Sequence, residues 1–137
     1  MAITRTETQV TWSASNSVSV TAGSSQTSDA VTLDATCVAA QISCKVDNST
    51  TPASDDILIF WIVQTSGDPD GTGADEYDTV GHAMLLCTLD TSAEDPAIKT
   101  VQLPVPQKSF KVYVEGATYG STNSITASAT VTEQRAA

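Results

Sequence analysis

Nowhere in this 137-residue chain do apolar residues recur at helical spacing for more than two turns. Short β-branched and apolar segments alternate instead with clusters of Gly, Asn, Asp, Ser and Pro, a pattern that excludes a helical or α/β core and predicts an all-β protein. The predicted strands are ETQVTW (7–12), SVSVT (17–21), DAVTL (29–33), VAAQISCKV (38–46), ILIFWIVQ (57–64), HAMLLCTL (82–89), KTVQLPV (99–105), FKVYVEG (110–116) and NSITASATV (123–131). The segments between them, among them SGDPDGTGADEYDTVG, read as turns and loops. About eight strands with no internal repeat or linker predict one domain over 1–137, a jelly roll or a two-sheet antiparallel β-sandwich. Few large side chains anchor the ends, so a flexible N-terminal arm (about 1–6) and a C-terminal tail (about 132–137) are expected. Such ends can also become ordered by adding a strand to a neighbour's sheet.

Alternation assigns the faces of most strands. Val38, Ala40, Ile42, Cys44 and Val46 share one side and are expected in the core, as are Phe110, Val112 and Val114, and Ile125, Ala127, Ala129 and Val131. Two strands break the alternation. ILIFWIV is apolar at both parities, with Ile57, Ile59, Trp61 and Val63 on one face and Leu58, Phe60 and Ile62 on the other. HAMLLCTL likewise puts Met84 and Leu86 opposite Ala83, Leu85, Cys87 and Leu89. A strand apolar on both faces needs cover on both. Either the long loop folds over the outer face, or another chain covers it. In the second case Leu58, Phe60, Ile62, Met84 and Leu86 would form an outer patch of several hundred Å², the size of a partner site. Trp12, which ends a polar segment, and Ile3, the one large apolar residue of the N-terminal arm, join that expected protein interface.

Charge narrows the partners. Six Lys plus Arg stand against sixteen Asp plus Glu, a formal charge of -10. The cations are scattered singly, so no stripe exists to neutralise phosphates, and nucleic acid is not an expected partner. An acidic membrane surface would repel the chain, and the longest apolar run is far too short to span a bilayer. The opening MAITRTETQV has no apolar leader core, and synthesis in the cytoplasm is expected. Cys37, Cys44 and Cys87 are odd in number and lack metal-ligand spacing, which argues for buried free thiols over disulfides or zinc.

Candidate chemistry is thin. Asp68, Asp70, Asp75, Glu76 and Asp78 crowd one glycine-containing loop, and clustered carboxylates can hold calcium. Counted from Asp68, however, an EF-hand would need a bidentate Glu where Thr79 stands. These five are therefore calcium candidates of another geometry, beside the plain reading of a solvated acidic loop. His82 is the single imidazole, and no GxSxG elbow accompanies it. Trp12, Trp61, Tyr77, Tyr113 and Tyr119 are dispersed along the chain, with no visible sugar-binding platform, and Trp61 is expected to be buried. No catalytic set and no cofactor are expected.

The segments MAITRTETQVTWSASNSVSVTAG, SGDPDGTGADEYDTVGHA and NSITASATVTEQRAA look like those of small virion proteins of tailed bacteriophages. The whole chain resembles the jelly-roll cement or decoration proteins of their capsids. That resemblance implies a non-enzymatic protein on the outside of an icosahedral shell, assembled in the host cytoplasm. Its partners would be the major capsid protein and further copies of itself, as a homodimer or other homo-oligomer. No family site residues transfer to this chain. The alternatives are a carbohydrate-binding or adhesin-like β-sandwich, calcium-dependent through the acidic loop, and a tail or baseplate component.

Overall fold

The computed structural model describes residues 2–48, 51–52, 56–103, 109–117 and 124–136. They form eleven strands: β1 (Ile3–Gln9), β2 (Val18–Val20), β3 (Ser25–Thr27), β4 (Val31–Thr32), β5 (Cys37–Asn48), β6 (Ile57–Gly67), β7 (Glu76–Tyr77), β8 (Met84–Asp90), β9 (Ala97–Gln102), β10 (Ser109–Gly116) and β11 (Ile125–Ala136). One antiparallel sheet has the order β1-β11-β5-β9, with β2 also on β11. The other runs β3-β10-β6-β7, with β4 on β10 and β8 on β6. The protein is an all-β two-sheet antiparallel sandwich. No helix among the described residues is long and apolar enough to cross a membrane.

The core lies between the sheets and follows the two-residue period of strands. From the first sheet come Ile42, Cys44, Val46, Ile125, Ala127, Ala129 and Val131, and from the second Leu58, Phe60, Ile62, Phe110, Val112 and Val114, all buried. Register explains why β6 turns its even-numbered residues inward. Ile62, Phe60 and Leu58 stand opposite Val112, Val114 and Gly116 of β10. Cross-strand partners point the same way, so the plain alternation of β10 orients β6, which is apolar on both sides.

This corrects the expected outer patch. Leu58, Phe60 and Ile62 are fully buried, and Met84 and Leu86 are partly buried against the same core. These five residues hold the two sheets together within the chain. Trp12, another expected interface residue, is also core, at 4% exposure. Val38, expected in the core, is 52% exposed. The register between β11 and β5 shifts there, Gln134 opposing Ala39 and Arg135 opposing Cys37, so Val38 is the extra residue of a bulge and is pushed outward.

The chain ends are also corrected. The expected arm and tail pair with each other as strands, Ile3 opposite Ala136 through Gln9 opposite Thr130. Behind that pair, buried Glu133 closes the end of the core. Its carboxylate accepts the Asp34 backbone N–H at 2.9 Å and the Arg135 Nη2 donor at 2.8 Å. Burial pushes the Glu133 carboxyl up, but the Arg135 and Asp34 hydrogen bonds prevail and hold it below the ordinary glutamate value.

A second local device precedes β2. Trp12 and Ser15 exchange backbone hydrogen bonds of 2.8 and 2.9 Å around Ser13 and Ala14, at φ 48 and φ 66. Two positive φ angles define a tight turn that favours Asn-Gly. Here the Asp29 carboxylate holds it, accepting the Ala14 N–H at 3.0 Å and the Thr11 hydroxyl at 2.7 Å.

Candidate binding face

With the even-numbered residues of β6 in the core, Ile59 and Trp61 are left on the outer surface of the second sheet. Trp61 stands directly opposite Tyr113 of β10 on one side and Leu85 of β8 on the other. Tyr113 in turn stands opposite Thr27 of β3. Cross-strand neighbours project from one face, so Thr27, Tyr113, Trp61 and Leu85 form one row across four strands. Strand spacing makes that row roughly 14 Å long. Leu85 is 54% exposed, and Trp61 and Tyr113 are half-buried. The row beside it is Ser25, Glu115, Ile59 and Thr88.

A short 3-10 turn, Val80–His82, brings Val80, Gly81 and Ala83 alongside this row. With Trp61, Tyr113 and Glu115 they line a groove of about 380 Å³. Inside it the Trp61 indole Nε1–H donates to Glu115 Oε1 at 2.9 Å. That bond fixes the indole against the sheet and keeps the carboxylate at the rim. Val80 is 49% exposed, so the groove has an apolar wall.

The acidic loop takes part in covering this face. Its Glu76–Tyr77 segment returns as β7 on the far end of β6. There the Tyr77 hydroxyl and Ser109 Oγ are 2.7 Å apart, and the Lys111 ammonium lies 4.5 Å from the Tyr77 ring centre, a cation–π contact. Val63, opposite Lys111, is buried beside that contact. The loop thus covers one end of β6 and leaves the Trp61 row open.

The five calcium candidates of the loop are not drawn together around a cavity. Asp68 accepts the Thr72 N–H at 3.0 Å and the Gly73 N–H at 2.7 Å. Asp70 accepts both the Thr72 hydroxyl at 2.8 Å and its N–H at 3.1 Å, and these bonds lower its carboxyl below the ordinary aspartate value. Both carboxylates are occupied in shaping a turn. Among the described residues no group of three or more His, Cys, Asp and Glu side chains is placed to hold a metal ion. His82 is exposed and meets Thr79 Oγ1 at 3.3 Å.

Of the seven residues expected at an interface, only Ile3 is prominently exposed, at 52%, on the edge strand β1. Trp61, expected inside, contributes to the surface. Tyr113, Glu115, Val80 and Leu85 were not among the expected interface residues. For Tyr113 and Glu115 a signal existed, since the alternation of FKVYVEG turns both outward. Nothing in the linear order placed them beside Trp61.

No family model matches the chain, and no curated protein matches it. Among solved structures, the CBM22-1 xylan-binding domain from Paenibacillus barcinonensis Xyn10C aligns with 96% of this chain and 86% of its own at 14% identity, with a TM-score of 0.39. At that overlap the likeness bears on neither ligand nor activity.

Proposed function

We propose that the protein is a non-enzymatic adhesive of a phage virion. On this reading it sits outside an icosahedral capsid and holds neighbouring major capsid subunits together. The observation that carries the reading is the open row Tyr113, Trp61 and Leu85, an aromatic and apolar strip on a rigid sheet. Large apolar groups left uncovered mark contact surfaces, and aromatic side chains dominate the energy of such contacts. The resemblance of three segments to small virion proteins supplies the kind of partner. Each contact is small, and an adhesive bound to two subunits at once gains effective concentration that a single contact lacks.

The test is co-sedimentation of the purified chain with intact capsids lacking it. Binding that saturates near one copy per major capsid subunit, or a simple fraction of that, is expected, and the complexed shells should disrupt at a higher temperature. No saturable binding would sink the proposal. The same Trp61 and Tyr113 pair favours one second reading, a carbohydrate-binding module, because sugar rings stack on such rings. Saturable binding in a neutral glycan panel, with none to capsids, would select it.

A further inference from the structure

The groove on the binding face has a chemical bias of its own. Two aromatic residues in cross-strand register, Trp61 and Tyr113, line it, together with Glu115. Glu115 accepts a hydrogen bond through Oε1 from the Trp61 indole. Among the described residues no cation pairs with it. The nearest cation on the same strand and face, Lys111, lies four residues away and is held over the Tyr77 ring. The remaining lone pairs of the carboxylate therefore face the groove without a counter-charge, in a chain of formal charge -10.

We infer that the groove is a socket for an arginine side chain presented by the partner protein. A guanidinium is planar, stacks on aromatic faces and forks onto a carboxylate, and this groove offers a ring face and a carboxylate side by side. Charge complementarity selects this occupant over an apolar plug, which would bury Glu115 without a partner at a desolvation cost. Lysine, a strongly hydrated point charge, uses the rings less well. The inference rests on the adhesive reading for the identity of the partner. The chemistry of the socket can be tested without capsids.

The experiment is an NMR titration of the ¹⁵N-labelled full chain with N-acetyl-arginine N-methylamide, read at the two tryptophan indole signals. Trp61 lies at the groove, and Trp12, buried in the core, is the internal reference. The expected result is a saturable shift of the Trp61 signal with Trp12 unmoved. The uncharged isostere N-acetyl-citrulline N-methylamide should bind at least tenfold more weakly, because its ureido N–H groups donate without the positive charge that matches the carboxylate. Glu115→Gln keeps the size of the side chain and its Oε1 acceptor but removes the charge, and should weaken arginine binding by about the same factor. Equal shifts with arginine and citrulline, unchanged binding in Glu115→Gln, or a Trp61 response to a neutral oligosaccharide alone would overturn the socket. Capsid co-sedimentation separates the two ideas. Capsid binding that survives Glu115→Gln overturns the socket and leaves the adhesive reading. A working arginine response with no capsid binding supports the socket and refutes the choice of partner.

Discussion

Truncating Phe60 and Leu85 in separate variants tests which face of β6 and β8 belongs to the core. Phe60 is fully buried, opposite Val114 and Cys87. A buried phenylalanine removes about 150–200 Å² from water, and at roughly 25 cal/mol per Å² that is about 4 kcal/mol. With the cavity left behind, Phe60→Ala should cost about 3–5 kcal/mol. Leu85 is 54% exposed on the other face. Half of the burial value of a leucine is about 1 kcal/mol or less, and no enclosed cavity forms on truncation. In urea, with a slope of about 1.5 kcal/mol/M, the midpoint should fall by roughly 2–3 M for Phe60→Ala and by less than ~1 M for Leu85→Ala. Equilibrium unfolding followed by tryptophan fluorescence measures both, and an unchanged slope confirms that stability alone has moved. Equal losses, or a larger loss for Leu85→Ala, would invert the face assignment and remove the binding row with it.

Three further outcomes are expected. Ala14→Gly should raise stability by about 1 kcal/mol and the thermal midpoint by about 3 °C, since Ala14 sits at φ 66 and glycine adopts that conformation without steric cost; an unchanged midpoint in calorimetry would show that the Asp29 bonds already relieve the turn. Glu133 is held below its ordinary value, so its stabilisation is full above the unfolded carboxylate range and disappears as pH falls through the lower folded value; Glu133→Gln should destabilise the protein at neutral pH and flatten the acid dependence of its midpoint, and a parallel dependence in both proteins would refute the assignment. Cys44 is buried, with its thiol pushed up by the Cys87 sulfur beside it and by desolvation, and burial also raises Cys37, whereas Cys87 is partly exposed; a thiol reagent should therefore label Cys87 first in the folded protein and all three cysteines only on unfolding, as mass spectrometry of the peptides would show.

The parity sets of nearly every long strand were legible in the sequence, because alternation is a local property. Which set of ILIFWIV faces the core was not. Both sets are apolar, and the choice is made by β10, some fifty residues away, whose Val112 and Val114 draw Ile62 and Phe60 inward. Strands β3 and β7 were hidden because three and two paired residues of mixed polarity carry no pattern. The pairing of the chain ends was hidden for a related reason. ITRTETQ and the end of β11 are held by ladder hydrogen bonds between polar residues, and no hydrophobic signal reports such bonds. The candidate site fails in the linear text at one step only. Trp61, Tyr113 and Glu115 can each be assigned a face, and only the register joins them.

On the proposed reading, the Trp61 row is favoured as the contact surface by how the rest of the surface is finished. At one edge of the first sheet, β1 carries Arg5 and Glu7, which place charges along an otherwise open ladder, a usual protection against strand addition. The outer face of that sheet is polar and bonded to itself, with Ser43 and Thr100 hydroxyls 2.7 Å apart and Gln102 donating to Gln41 at 3.2 Å. The large exposed apolar residues of that sheet, Ile98, Val38 at the bulge and Ile3 on the edge strand, lie on three different strands. On the other side five of the sixteen carboxylates stand in the loop that borders the binding face without crossing its centre. A partner that docks on the Trp61 row thus meets an apolar strip flanked by negative charge. Basic groups around its own contact would raise the rate of encounter, and like-charged copies of this chain would be kept from stacking face to face. For such a partner the acidity of the chain and its open aromatic row would act together, one choosing the partner's sign and the other supplying the contact.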